Sequence, residues 1–453
     1  MNLRVLTLKY MGWCPGVEAV AKFIPDRNIP PTRIALIILL VASISFSSFL
    51  VTQRTLTVVG FPSISFGRTG NESPKLVVVD DQIYIAVEVK TTGQSWADYH
   101  RTSIYIAKLS LDGKLEDETK VLDLGETLLN SMDLLVTKDS HWHLTYVYRK
   151  LFYHNSTEIP GDLYVISSDD GIQWDNPTVI AESIGRYTGP PMTEEARRKI
   201  QDFDNPSLTE TMYGEVFLSF NINDDKLNYT IYEPKSGWNP PNEIPMIAKE
   251  QSSLIDREGC IAVVGVDINP SSPKVVIVEG LPFTTMRENG SWTEPGYLGL
   301  ATAPLRGNNP KILYSSIRDG YFLLMDDPDP QEYGIHQISF TRDLEIWDRP
   351  MSFQNIRETS LIELPDGTLV LVFNERGDLS ISTSGDGFNW TPRREMDKIW
   401  DEEALVEVAS RQRLVLSSLT SLATTTFAII FMSKYPNLIL GKSRTRTRLR
   451  STV

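Results

Sequence analysis

From residue 73 onward, short apolar runs come in pairs joined by a turn, and each pair reads as a hairpin. The clearest are SPKLVVVDDQIYIAVEV (73–89), SMDLLVTKDSHWHLTYVYR (131–149), NPSLTETMYGEVFLSFN (205–221), NPKILYSSIRDGYFLLMD (309–326) and TSLIELPDGTLVLVFN (359–374). A weaker copy is REGCIAVVGVDINPSSPKVVIVEG (257–280). Turn chemistry such as Pro-Asp-Gly and Arg-Asp-Gly separates the two members of a pair. No long amphipathic helix is needed across this stretch.

Two longer apolar runs stand apart. Residues 34–51, IALIILLVASISFSSFLV, carry no charge over 18 positions, near the minimum length of a membrane-spanning helix. With 33 residues ahead of it and no A-x-A-like site close behind, the run is expected to be an uncleaved anchor rather than a signal peptide. Residues 414–432 are also uncharged. They are rich in Ser, Thr and β-branched residues, and 417–443 aligns strand for strand with 359–384. That register predicts a last β repeat rather than a second span.

A second periodicity runs through the same region. Tryptophan followed by a turn and proline occurs five times, at Trp174, Trp238, Trp292, Trp347 and Trp390, 43 to 64 residues apart. A period of that size marks propellers and solenoids. Ser167-Ser-Asp169-Asp-Gly171-Ile-Gln-Trp174 fits S-x-D-x-G-x-x-W, residues 383–390 keep the Gly and Trp, and residues 340–347 keep the outline. This resembles the Asp box of sialidases and related propellers, a turn between the third and fourth strands of a blade with a structural role. The resemblance covers about residues 60–443. It implies an all-β, six-bladed sialidase-like β-propeller behind one N-terminal transmembrane helix. Seven hairpin cores leave seven blades as the alternative. The organisation expected is 1–33 cytoplasmic, 34–52 anchor, 53–445 propeller and 446–453 basic tail.

Charge sets the orientation. The net charge is −14, yet the basic residues Arg4, Lys9, Lys22, Arg27 and Arg33 precede the first apolar run. The positive-inside rule keeps that end in the cytoplasm and predicts a single-pass cell-membrane protein with the propeller outside. Five N-x-S/T triplets (Asn71, Asn155, Asn228, Asn289 and Asn389) suit that side. An acidic central domain excludes nucleic acid as its partner. Cys14 and Cys260 would lie on opposite sides of the membrane and cannot pair. No cofactor or metal is expected: His141-x-His143 lacks a third ligand nearby.

The candidate ligand site lies where the innermost strands of successive repeats begin, since those ends converge on the axis. The residues there are 72–75, 130–133, 202–205, 256–258, 306–309 and 357–359. Arg257, Arg306 and Arg357 lie about one repeat apart and could hold a carboxylate bidentately; the alternative is local pairing with Glu258 or Glu358. The resemblance likens them to the arginine triad of sialidases. It also implies Asp98, in the 96–101 loop, as acid/base, with Tyr187 or Tyr314 as nucleophile and Glu258 as its partner. The first-blade arginine of that family is absent, its place reading Ser73-Pro74-Lys75. An ordinary glycosidase would need two facing carboxylates, for which Asp133, Asp204, Glu258 and Glu358 are candidates. The expected ligand is a carbohydrate or surface glycan that the propeller hydrolyses; the alternative is a non-catalytic propeller that binds a glycan or a protein.

Overall fold

The computed structural model describes most of residues 67–401 and, outside that stretch, 42–43, 45–49, 417–427 and 430. Within 67–401 the connections 94–99, 153–156, 189–202, 267–279 and 327–335, and several shorter gaps, lie outside the described residues. The chain divides into Gly67–Leu405 and a unit made of Met1–Phe66 with Val406–Val453.

Gly67–Leu405 is a six-bladed propeller. Its six principal sheets are antiparallel, and each follows chain order from an innermost strand outward. The innermost strands are Gly67–Val79, Thr127–Val136, Phe203–Glu210, Lys249–Ile255, Asn308–Ser315 and Arg357–Glu363. Each pairs with the next strand along the chain, from Gln82–Gly93 in the first blade to Leu369–Glu375 in the last. The innermost strands neighbour one another in a ring, with Gly67–Val79 beside both Thr127–Val136 and Arg357–Glu363.

The second strands hold the core. Val216–Ile222, Ile261–Val266, Gly320–Asp326 and Leu369–Glu375 are buried along nearly their whole length, on both faces, because each is sandwiched between neighbouring blades. Core clusters accordingly span blade boundaries: Leu76, Ile83 and Ile85 of the first blade pack with Val370, Val372 and Ile381 of the sixth. Among the described residues no strand is shared to close the ring. Instead residues 396–401 cross from the sixth blade onto the first: Asp401, 1 % exposed, accepts from Ser103 Oγ at 2.7 Å and pairs with Lys120 Nζ at 2.9 Å. Ile399 is buried in the same cluster.

The Asp boxes lie at the turn from third to outermost strand, and three share one set of bonds. Asp170, Asp343 and Asp386 each accept the backbone N–H groups two and three residues on. The Trp indole N–H four residues after each Asp returns to the carbonyl of Gly171, Leu344 or Gly387. The working aspartate is therefore the one directly before the Gly, and residues 340–347 form a complete box with Leu344 at φ 62° in the glycine place. These bonds to the ionised form hold all three carboxyls below the usual carboxylate range.

Gly387 (φ +84°) shows why the box wants glycine. A Cβ there would come 2.9 Å from Cζ of Phe322, a fully buried ring of the preceding blade. Gly387→Ala combines that close approach with left-handed strain and should cost about 2 kcal/mol, read as a lowered urea midpoint at unchanged m-value.

One expectation is corrected. Residues 417–427 are helical and do not form a seventh hairpin. Among the described residues the ring of six blades is complete by residue 401, and the Thr hydroxyls bond back to carbonyls one turn earlier: Thr424 to Thr420, Thr425 to Ser421 and Thr426 to Leu422. The predicted anchor is helical at 42–43 and 45–49, and the rest of 34–51 lies outside the described residues. Among the described residues no helix is long and apolar enough to cross a membrane.

Candidate functional site at the channel mouth

Each of the six innermost strands breaks register once near its start: at Glu72/Lys75, Leu129/Ser131, Asp204/Ser207, Lys249/Ser252, Asn308/Lys311 and Arg357/Thr359. Six bulges thus ring one end of the channel, and a bulge re-aims side chains and frees backbone groups from the ladder. In five blades the bulged residue is left-handed without being glycine: Ser73 (φ 51°), Asn205 (48°), Glu250 (50°), Asn309 (46°) and Glu358 (39°). Such residues cost of order 1 kcal/mol each and persist only where their surroundings fix them.

Here the fixing comes from the neighbouring blade, in alternation. The Ser73 N–H donates to Glu358 Oε2 at 2.8 Å, Asn205 N–H to Ser131 Oγ at 3.1 Å, and Asn309 N–H to Glu250 Oε2 at 2.9 Å. Blades one, three and five carry the bulge before a proline (Pro74, Pro206, Pro310), and blades two, four and six supply the acceptor. Proline is tolerated in these strands because a bulge has no ladder bond for it to miss. The second strands add polar partners: Asn374 Nδ2 donates to Glu358 Oε2 at 3.0 Å, and Asn309 Nδ2 to Asp326 Oδ2 at 2.6 Å. His336, buried, places Nδ1 2.7 Å from Asp326 Oδ1 in an ion-pair geometry.

Charge converges behind this ring. Lys75 Nζ of the first blade lies 3.3 Å from Asp133 Oδ1 of the second. Lys311 of the fifth blade feels Lys75, Asp326, Asp133 and Glu358, charges contributed by four blades that can meet only near the axis. Burial first, then repulsion from Lys75, lowers the Lys311 ammonium to about 7 against the pull of the three carboxylates. Among the described residues no carboxylate sits within ion-pair distance of it. The residue as a whole is half-buried.

The acids at the mouth are largely engaged by the scaffold. Glu358 Oε2 accepts from both Ser73 and Asn374. Asp133 Oδ2 accepts the Leu208 N–H of the third blade at 2.8 Å while Oδ1 faces Lys75. Asp204 Oδ1 accepts the Asn205 N–H at 2.7 Å.

Asp133, Asp204 and Glu358 thus stand together at the bulged end, where the backbone of Arg357 also begins its strand. Arg257 and Glu258 do not join them. They occupy the 256–259 turn between innermost and second strands, at the opposite end of the blade, on the face that carries the Asp boxes. There the Arg257 N–H donates to Tyr321 Oη at 3.2 Å, and Tyr314 Oη donates to Asp319 Oδ1 at 3.1 Å. The apolar pattern puts the fourth repeat one strand late: its innermost strand is Lys249–Ile255, whose KEQSSLI has few apolar residues, and IAVVGV is the second strand. Three arginines in one pocket, with Arg257 among them, is therefore not the arrangement found. Asp98 and Arg306 lie outside the described residues, as does the Tyr187 side chain. His143 is buried against Ser167 Oγ at 3.0 Å, while His141 Nδ1 meets Asp169 at 2.8 Å. Among the described residues no group of three metal-ligating side chains occurs.

No protein-family model matches the chain, and no curated protein matches it. Among solved structures it is similar to a Dyadobacter fermentans protein of unknown function (12% identity, 73% of this chain and 98% of that one, TM-score 0.47). It is likewise similar to the NanB sialidase of Streptococcus pneumoniae (10%, 72% and 68%, TM-score 0.47) and to the Aleuria aurantia lectin in complex with α-methyl-L-fucoside (9%, 74% and 99%, TM-score 0.45). The chain itself is a six-bladed β-propeller with Asp-box turns between the third and outermost strands.

Proposed function

We propose that this chain is a membrane-tethered propeller that displays a glycan-binding channel mouth on the outer side and binds an acidic glycan there without cleaving it. The Asp-box resemblance supplies the ligand class. The observation that carries the reading is the ring of six bulges, which turns polar backbone and side chains toward one end of the axis around Lys311. An ammonium in that position, with no ion-pair partner among the described residues, is matched by a ligand carboxylate. Engagement of Asp133, Asp204 and Glu358 in inter-blade and bulge bonds favours binding over hydrolysis, because an inverting or retaining pair must be free to face the sugar. The hydrolytic reading rests on Asp98. Its connection, 94–99, follows the second strand of the first blade, and that strand ends on the bulged face.

The test uses the full chain in detergent against immobilised acidic and neutral glycans, with a parallel panel of fluorogenic glycosides that includes a sialoside. Acidic glycans should be retained at pH 6, and Lys311→Met should weaken retention at least tenfold. Retention by the unchanged protein should also weaken as pH rises through about 7, where Lys311 loses its proton. Sugar release from any glycoside would replace this reading with the hydrolytic one. Equal retention of neutral and acidic glycans, or none of either by a folded protein, would remove the ligand assignment.

A further inference from the structure

The helical stretches at 42–43, 45–49 and 417–427 belong to one unit of the fold, although more than 360 residues separate the first two from the third along the chain. They meet through hydroxyls. Ser48 Oγ lies 3.0 Å from Thr424 Oγ1, Ser45 Oγ bonds Thr425 Oγ1, and Ser421 Oγ donates to the Ser45 carbonyl at 3.1 Å. Thr424, Thr425 and Thr426 also donate to carbonyls one turn earlier, so these hydroxyls need no water.

The exposed side adds large apolar residues to hydroxylated ones such as Ser47 and Thr426. Phe46, Leu419, Leu422, Phe427 and Ile430 are all more than half exposed, Phe427 at 70 %. Small hydroxylated residues at the contact, with large apolar residues exposed away from it, are the pattern of helices packed in lipid, where close approach and polar contacts hold the pair. In water it would leave an apolar surface uncovered.

Both helices lie in uncharged runs, 34–51 and 414–432. The flanks agree on a single orientation. Arg4, Lys9, Lys22, Arg27 and Arg33 precede the first run, and Arg54 closely follows it. After the second run come Lys434, Lys442, Arg444, Arg446, Arg448 and Arg450 with no acid among them, against Arg411 and Arg413 before it. The basic excess thus marks both chain ends as the cytoplasmic side.

We propose that the two segments span the bilayer side by side as a hydroxyl-zipped pair, so that the propeller is held at both ends and both termini are cytoplasmic. This deepens the membrane-tethered reading above and rests on it, replacing one span with two.

The experiment uses the full chain with a C-terminal epitope, produced in a bacterial inner membrane. The protein should resist carbonate extraction. External protease on spheroplasts should cut the propeller and leave the epitope intact until the membrane is opened. In a background of Cys14→Ser and Cys260→Ser, Ser45→Cys with Thr425→Cys should form an intramolecular disulfide on mild oxidation, seen as a reducible mobility shift, and Phe46→Cys with Phe427→Cys should not. Carbonate release would end both membrane readings. A retained protein whose epitope is digested from outside would end the two-span reading alone. Retention and a protected epitope without the 45–425 cross-link would end the pairing.

Discussion

Lys311→Met is expected to stabilise the propeller near pH 6 and to leave its stability unchanged near pH 10. The wild-type ammonium is lowered to about 7, chiefly because the channel desolvates it and next because Lys75 repels it. In the unfolded chain the same group holds its proton to about pH 10.4. Between those values the unfolded state binds more protons, so wild-type stability rises with pH across that window. Below about 7 the full penalty of holding the charged form applies. Every tenfold loss of proton affinity on folding corresponds to about 1.4 kcal/mol, and the partial hydration of the channel reduces the total to on the order of 3 kcal/mol. Methionine fills a similar volume and carries no charge. Chemical denaturation of both proteins at pH 6, 8 and 10 should show a gap that closes with pH. A variant equally stable at pH 6, or weaker, would mean that the ammonium is compensated within the protein and has nothing to offer a ligand. Loss of retained glycan together with gained stability would be the signature of a residue kept for binding at the expense of folding.

Much of the fold is legible in the sequence because propellers repeat. Five hairpins and their turns can be read from apolar pairs, since a second strand buried on both faces must be nearly all apolar. The fourth blade misleads for the same reason. Its innermost strand, KEQSSLI, lines a polar channel and lacks the apolar signature, so the pattern points one strand on, to IAVVGV. Arg257 is carried with it to the wrong face. Residues 414–432 mislead because Ser, Thr and β-branched residues favour strands only where a sheet edge receives them. With the ring closed by Asp401 and Ile399, their hydroxyls turn to helix carbonyls and to Ser45 instead. Lys311 does not stand out in the sequence, because its position depends on charges from four blades. One further signal is present: Ser73-Pro74-Lys75, Asn205-Pro206-Ser207 and Asn309-Pro310-Lys311 repeat a bulge motif in alternate blades, and two of the three end in the lysines of the channel.

His143 sets the stability of the second blade in acid. Its ring is 3 % exposed, packs beside Tyr232 and bonds Ser167 Oγ. Burial first, then the neighbouring His141, lowers its pKa from 6.5 to about 4. A base whose folded pKa is depressed binds its proton more readily when unfolded, so stability is complete above about pH 6.5 and is lost as pH falls toward 4. The loss should reach about 3 kcal/mol at pH 4. The Asp boxes respond in the same direction but lower, from about pH 4 downward, where carboxyls of the unfolded chain bind protons that the ionised boxes refuse. The window between pH 4 and 6.5 therefore isolates the histidine. His143→Asn keeps a polar atom toward Ser167 and removes the titration. Its urea midpoint should lie below wild type at pH 7.5, because a buried ring is replaced by a smaller group, and the two should converge as pH falls to 4. Parallel curves from pH 7.5 to 4 would show that the imidazole is protonated within the fold at no cost, through water reaching the blade interior. Convergence would show instead that this blade opens in acid by charging one buried ring, with the Trp174 box beside it still intact.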